Sequence, residues 1–363
     1  MSSLDFSANK YLKELYCGGF FLLNLDVSHS ILDTLSCLGS PKLALLNLDG
    51  CITLKKLSCN GPDLSLNLNG CSNLENLYME YYYGKLDVSR CTLLRTLEIK
   101  QSRLSLDLTN NTALEDLNLI ESYTETIDLS NNLQLVTIHL EFINQNNLDL
   151  SDLKKLKSLS FGKYHGRLET LTLNRCTSLE YLNASNLNLL SLNLAGCTAL
   201  HTLNCSNNQL TALNLNDCTQ LTELYFFNNK LTSFKTNSVN LSIIDCGANM
   251  IVEIDVSSYT RLKELYCTDT KIISLNLSSC LSLEKLDCSY NSLTNLDVSH
   301  CRALFSLKCV YCRLQPSLDV SKCIALSELY CTANPNLAEL ILYRNHSIKT
   351  LNKDPHTQLV LAN

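Results

Sequence analysis

The chain has 363 residues, of which 45% are hydrophobic and 18% charged, and a formal net charge of −6. That balance supplies a large core and leaves out the massed basic surface that nucleic acid requires, so no nucleic-acid partner is expected. No run approaches the roughly 18 to 20 apolar residues of a membrane span, and no membrane insertion is expected.

One unit recurs along the sequence. Leu200 to Gln220, LHTLNCSNNQLTALNLNDCTQ, reads L-x-x-L-x-C-x-x-N-x-L-x-x-L-x-L/V-x-x-C-x-x, and Leu221 opens the same pattern again. In L-x-x-L-x-C the fourth and sixth positions alternate inward with period two, while the third, fifth and seventh face water. One such strand cannot bury both sides of its turn alone; stacked copies can.

In chain order, residues 1–11 form a partial first turn, with Leu4 and Phe6 in the register of Leu213 and Leu215. First leucines follow at Leu12, Leu32, Leu54, Leu74, Leu94, Leu114, Leu135, Leu156, Leu179, Leu200, Leu221, Leu241, Leu262, Leu283, Leu304 and Leu326, and Ile348 opens a last incomplete turn. The steps run from 20 to 23 residues and average 21. The sequence therefore predicts a single domain over 1–363: an α/β-class solenoid, mostly β, with about 16 repeats. It is expected to be a right-handed superhelix with a parallel sheet on the concave face. A 21-residue unit leaves too little chain for a regular convex helix, so turns, extended segments or short 3₁₀ pieces are expected there. Asp26, Asp87, Asp128, Asp149, Asp255, Asp297 and Asp319 recur in LDVS-like segments, where a carboxylate can cap a backbone amide. Asn208, Asn229, Asn249, Asn291 and Asn334 recur at the ninth position and are expected to bridge adjacent turns. Over residues 348–363 the repeat pattern breaks up, and this stretch is expected to form a partial last turn and an improvised cap, with Lys353 and Pro355 blocking a strand edge. The N-terminal edge looks barer and leaves room for self-association.

Nine of the 19 cysteines (Cys17, Cys37, Cys59, Cys205, Cys246, Cys267, Cys288, Cys309 and Cys331) take the sixth position. Nine more (Cys51, Cys71, Cys91, Cys176, Cys197, Cys218, Cys280, Cys301 and Cys323) take the nineteenth, leaving Cys312. Only apolar residues, from Met79 to Phe226, replace cysteine at the sixth position, so it reads there as a small buried hydrophobe. An odd count at sites interchangeable with leucine argues against a disulfide framework. Cys309-Val310-Tyr311-Cys312 lacks the second C-x-x-C of a zinc site, and no metal or cofactor is expected.

The segments LHTLNCSNNQLTALNLNDCT, LEKLDCSYNSLTNLDVSHCR and LKELYCTDTKIISLNLSSC resemble bacterial leucine-rich repeats with a 21-residue unit and a cysteine ladder, as in the repeat region of internalin-type proteins. The resemblance spans nearly the whole chain. It implies adhesion or protein recognition through the concave face. Neither the helical N-terminal cap nor the wall anchor of the surface members is expected from these residues. Its first thirty residues hold no basic segment followed by a 7–15-residue apolar run, so no secretion signal is expected. The compartment stays open between cytoplasm, non-classical export and a trimmed secreted chain.

Enzymatic chemistry is not expected. The seven histidines lie on different turns, and no H-E-x-x-H, G-x-S-x-G or G-x-x-x-x-G-K-[ST] is present. Candidate ligand-binding residues are exposed aromatics on rigid strands, which lose little entropy on binding. One row comprises Tyr225 and Tyr266, two repeats and about 10 Å apart, with Tyr330, and with Tyr181, Phe227 and Phe305 close in register. A second patch is Tyr78, Tyr81, Tyr82 and Tyr83, where three tyrosines replace the usual S-x-N on the rim and are expected to be free of the fold. The third is a protruding loop carrying Lys163, Tyr164 and His165. Mixed charge around these patches favours a protein partner; a glycan held by the tyrosines is the alternative.

Overall fold

The computed structural model describes residues 2–162 and 167–362 and contains two compact units, Met1–Asn188 and Leu189–Asn363. In the first unit nine parallel strands stack in sequence order, from Glu14–Tyr16 to Tyr181–Asn183. Their fourth-position residues make one inward row: Leu15, Leu35, Leu57, Leu77, Leu97, Leu117, Ile138, Leu159 and Leu182. In the second unit eight strands, from Thr202–Asn204 to Thr350–Asn352, do the same with Leu203, Leu224, Ile244, Leu265, Leu286, Leu307, Leu329 and Leu351. Each turn returns through a shorter extended segment. Some of these pair into small parallel sheets, such as Ser3–Asp5 with Asn24–Asp26 and Leu45–Asn47. No helix occurs among the described residues, and the return path is built from strands and turns without 3₁₀ pieces. The expected β-solenoid is what these residues form.

Polar side chains close the turns as their spacing suggests. All seven recurrent aspartates accept the backbone N–H two residues on, as Asp297 does from Ser299 at 2.9 Å. The ninth-position asparagines join turns. Asn229 donates from Nδ2 to the carbonyls of Cys205 and Phe226, both at 3.0 Å, and its Oδ1 accepts the Leu210 N–H at 3.0 Å. In the Leu304 turn Cys312 occupies this ninth position, buried, and its thiol reaches the Cys288 carbonyl at 3.3 Å.

The cysteine ladders are buried except at Cys17, which is half-exposed near the N-terminal edge. At the nineteenth position the thiol has more to do than fill space. Cys51, Cys176 and Cys323 point Sγ at the carbonyls of Val27, Leu150 and Val298, at 3.2, 3.2 and 3.4 Å. The residues replacing cysteine in this row include buried Asn111 and Asn132, whose Nδ2 groups reach the Val88 and Leu108 carbonyls at 3.0 and 3.1 Å. The row therefore takes a compact donor as well as a hydrophobe, such as the buried Leu153 and Tyr259 of other turns.

Two further features concern the eighth residue of the turn and the C-terminal segment. The eighth residue of most turns is left-handed without being glycine: Tyr81, Gln101, Glu121, Phe142, Asn186, Asn207, Asn228, Ala248, Asp269, Tyr290, Tyr311 and Ala333 have φ between 48° and 62°. Such a residue costs about 1–2 kcal/mol relative to the right-handed region. A hydrogen bond to the next turn offsets it: Asn228 N–H reaches the Gly247 carbonyl at 2.9 Å and Tyr290 N–H the Val310 carbonyl at 2.8 Å. The C-terminal segment is braced by its own side chains. Asp354 accepts the N–H groups of Ala333 and Asn334, and Lys353 folds back onto the carbonyls of Asp354 and Thr357. After this brace Gln358–Ala362 pairs in parallel with Glu339–Tyr343, so Lys353 and Pro355 lie between the edge strand Thr350–Asn352 and this last strand.

Candidate functional site

Outward side chains at the third, fifth and seventh positions form rows across each sheet, because neighbouring strands are in register and about 4.8 Å apart. In the second unit the fifth-position row runs Tyr225, Asp245, Tyr266, Asp287, Lys308, Tyr330. Tyr225 and Tyr266 thus flank Asp245 directly. The third position repeats the arrangement, with Glu223 and Glu264 on either side of Ile243. At the seventh position Phe227 and Thr268 flank Gly247. A Cβ on Gly247 would lie 2.8 Å from the Thr268 carbonyl oxygen and 3.1 Å from the Phe227 ring. The shorter outward residues Ile243, Asp245 and Gly247 therefore form the floor of a trough, and the longer residues of the adjacent turns form its walls.

Hydrogen bonds fix the walls. Tyr266 Oη donates to Glu264 at 2.7 Å and Tyr225 Oη to Glu223 at 3.4 Å. Lys285 donates to Glu264 at 3.0 Å. Burial and the neighbouring carboxylates of Glu223, Glu264 and Asp245 push the Tyr225 phenol up to about 12. Tyr266 is pushed up by burial and then by its bond to Glu264. Asp245 is held above the usual carboxylate range by burial first, against the Gly247 N–H bond, and by the negative charge of Asp287.

The other candidates are distributed more widely. Tyr330 stands three strands beyond Tyr266 with Lys308 Nζ 5.7 Å from its ring centroid. Phe305 is exposed but precedes its strand, Ser306–Lys308, and Tyr181 lies at a third position in the first unit. In the tyrosine cluster Tyr78 is half-buried, bonded to Glu80, with Lys100 Nζ 5.2 Å from its ring centroid. Tyr81 and Tyr83 are exposed, whereas Tyr82 is only 4% exposed. That corrects the reading of Tyr82 as surface. It fills the ninth position, its backbone N–H reaches Ser102 Oγ at 2.9 Å, and its hydroxyl donates to the Lys85 carbonyl at 3.1 Å. Lys163, Tyr164 and His165 lie outside the described residues.

Several surface groups escaped the sequence reading. Asp245, Glu223 and Glu264 were legible as E-L-Y, I-I-D, E-L-Y at 20- and 21-residue offsets. Tyr290 and Tyr311, both left-handed eighth residues, stack with ring centroids 5.4 Å apart and planes 9° apart. In the first unit His139 sits between Ser160 and Glu141, with Nδ1 2.7 Å from Ser160 Oγ and Nε2 3.1 Å from Glu141 Oε1. Ser160 lies within a strand paired on both sides, so its surrounding amides serve the ladder rather than an oxyanion.

Repeating strands, inward leucine rows, an asparagine ladder and two thiol ladders define a leucine-rich-repeat solenoid. No family model matches the chain, and no curated protein is similar to it in sequence. Solved structures are similar. The functional domain of InlJ from Listeria monocytogenes, which includes a cysteine ladder, is 25% identical with a TM-score of 0.58, over 90% of this chain and 68% of that one. A leucine-rich-repeat protein of Leptospira interrogans is 18% identical with a TM-score of 0.63, over 86% of this chain and 90% of that one. The Arabidopsis receptor kinase HAESA, solved with a peptide hormone and a co-receptor, is 16% identical with a TM-score of 0.63, over 97% of this chain and 73% of that one. The chain is a cysteine-ladder leucine-rich-repeat protein, similar to the repeat region of internalin-type proteins. No helix among the described residues is long and apolar enough to cross a membrane.

Proposed function

We propose that the chain is a non-enzymatic recognition scaffold that binds a protein partner on its strand face, with the trough around Asp245 as the principal contact. The observation that carries this reading is the trough itself. Its walls, Tyr225, Phe227 and Tyr266, are accessible aromatics held by neighbouring turns, and they surround a carboxylate. An exposed surface already fixed by its own hydrogen bonds loses little freedom on association. The HAESA complex shows the same general fold holding a peptide ligand, which supports recognition of protein rather than catalysis. Adhesion, as in internalin-type proteins, is one use of such a scaffold.

The test is affinity capture with three baits: the wild-type chain, a Tyr225→Ala/Tyr266→Ala variant, and Asp297→Asn on the return path. A partner retained by wild type and Asp297→Asn but lost by the double variant supports the reading. A partner lost only with Tyr81→Ala/Tyr83→Ala would move the contact to the first unit. Retention by every variant would remove the strand face from consideration. A glycan panel run in parallel decides whether the tyrosines hold sugar instead.

A further inference from the structure

We propose that the trough of the second unit accepts a single lysine or arginine side chain from an extended segment of the partner, seated between Tyr225 and Tyr266 with its cationic head on Asp245. The proposal rests on the protein-recognition reading above and names what the partner must present.

Three observations meet at this point. The first is spacing. Tyr225, Asp245 and Tyr266 are successive members of one in-register row. Each tyrosine column therefore stands about 4.8 Å from the aspartate column. A cation above Asp245 lies within the roughly 6 Å over which an aromatic ring attracts a charge, and it does so for both rings at once.

The second is charge. The carboxylates facing this part of the strand sheet are Glu223, Asp245, Glu264 and Asp287, and the cations are Lys285 and Lys308. Lys285 is bound to Glu264 at 3.0 Å, and Lys308 lies over Tyr330 at 5.7 Å. Asp245 makes no ion pair among the described residues and bonds the Gly247 N–H at 3.3 Å. A carboxylate half-withdrawn from water and without a cation is the place where an incoming cation gains most, since its desolvation has already been met in folding. The raised carboxyl of Asp245 agrees with this. An anionic or phosphorylated segment would meet four carboxylates and is excluded on the same count.

The third is shape. Ile243 lies beside Asp245 along the floor, between Glu223 and Glu264, while the Phe227 ring leans over Gly247 and closes the other end. A long side chain with an apolar stem and a charged head matches a floor that runs from isoleucine to aspartate. A short polar side chain would leave the rings without contact. The neighbouring fifth-position carboxylate, Asp287, lacks this frame because Lys308 rather than an aromatic stands on its far side.

The experiment uses the full chain and four labelled peptide pools, identical in randomised flanks and differing in one fixed central residue: lysine, arginine, glutamine or glutamate. Binding is read by fluorescence polarisation at low and high salt. The lysine or arginine pool is expected to bind about tenfold or more tightly than the glutamine pool, with the glutamate pool weakest. Asp245→Asn should reduce the basic pools to the glutamine level, because asparagine keeps an acceptor for the Gly247 N–H and removes only the charge. Tyr225→Ala/Tyr266→Ala should do the same, and Asp297→Asn should change nothing. Equal binding of the glutamine and basic pools, or basic-pool binding undiminished by Asp245→Asn, overturns the proposal. If the peptides fail while the captured partner is still lost with the double tyrosine variant, the basic-residue inference is wrong and protein recognition on this face stands. If the double variant also keeps the partner, both fall.

Discussion

Replacing Asn229 with leucine should destabilise the second unit by about 3–5 kcal/mol, although the substitution adds apolar volume to a buried site. Asn229 donates to the Cys205 and Phe226 carbonyls and accepts from Leu210 N–H. Each of the two carbonyls has a second asparagine: Asn208 also donates to Cys205 O, and Asn249 also donates to Phe226 O. The carbonyls therefore stay paired in the variant, and each lost bond costs about 1 kcal/mol. Leu210 N–H has no such reserve, and a buried orphan donor costs about 1–3 kcal/mol. The control is Asn228→Ala one residue earlier. Asn228 bonds only Asn207 among side chains, on the surface, and its backbone N–H to Gly247 is unaffected. Urea denaturation gives the stability difference, and amide hydrogen exchange at Leu210 identifies its origin. A variant within about 0.5 kcal/mol of wild type, with Leu210 still protected, would refute the reasoning.

Tyr82→Ala should cost about 3–5 kcal/mol as a core truncation and Tyr82→Phe about 1 kcal/mol for the bond to Lys85, whereas Tyr83→Ala should be nearly neutral; thermal or urea melts separate them. A thiol reagent at pH 8 should find at most one rapidly reacting cysteine, the half-exposed Cys17, and all 19 after unfolding; several rapid thiols in the native chain would contradict the buried ladders, where burial pushes Cys71 and Cys218 up to about 12. Acid should weaken the fold: Ser89, Thr109 and Ser299 hold the carboxyls of Asp87, Asp107 and Asp297 below their ordinary range. Because these folded values are depressed, the stabilisation is complete above about pH 4 and is lost as pH falls through the lower folded values. Denaturant midpoints between pH 5 and pH 2 check this, and Asp297→Asn should flatten the slope.

Most of the scaffold was legible because two periods, two residues within a strand and 21 between strands, fix which side chains turn inward. Leu224 and Leu265, the aspartate caps and the asparagine bridges all follow from position. Tyr82 was misread because its residue type outweighed its register: at the ninth position even a tyrosine goes inside, where its hydroxyl finds Lys85 O. The donor role of the nineteenth row was hidden because cysteine resembles a small hydrophobe, while Asn111 and Asn132 in the same row carried the signal. The trough was only half visible. Tyr225 and Tyr266 stood out as aromatics, but Asp245 acquires its meaning from the neighbouring turns, and only the register supplies that. The left-handed eighth residue has no glycine signature, since it is held by a bond to the next turn rather than by its own preference.

That last arrangement separates geometry from spelling. A turn whose shape is set by backbone bonding accepts tyrosine, glutamine, asparagine, aspartate or alanine at its eighth residue, all of which occur there with similar φ and a bond to the next turn. The side chain at that site is then free to vary without a change of fold. The eighth residues form a second script beside the strand rows, and Tyr290 stacked on Tyr311 is one word in it. Surface chemistry along this edge can be rewritten one turn at a time, each edit leaving the leucines, amides and thiols beneath it as they were.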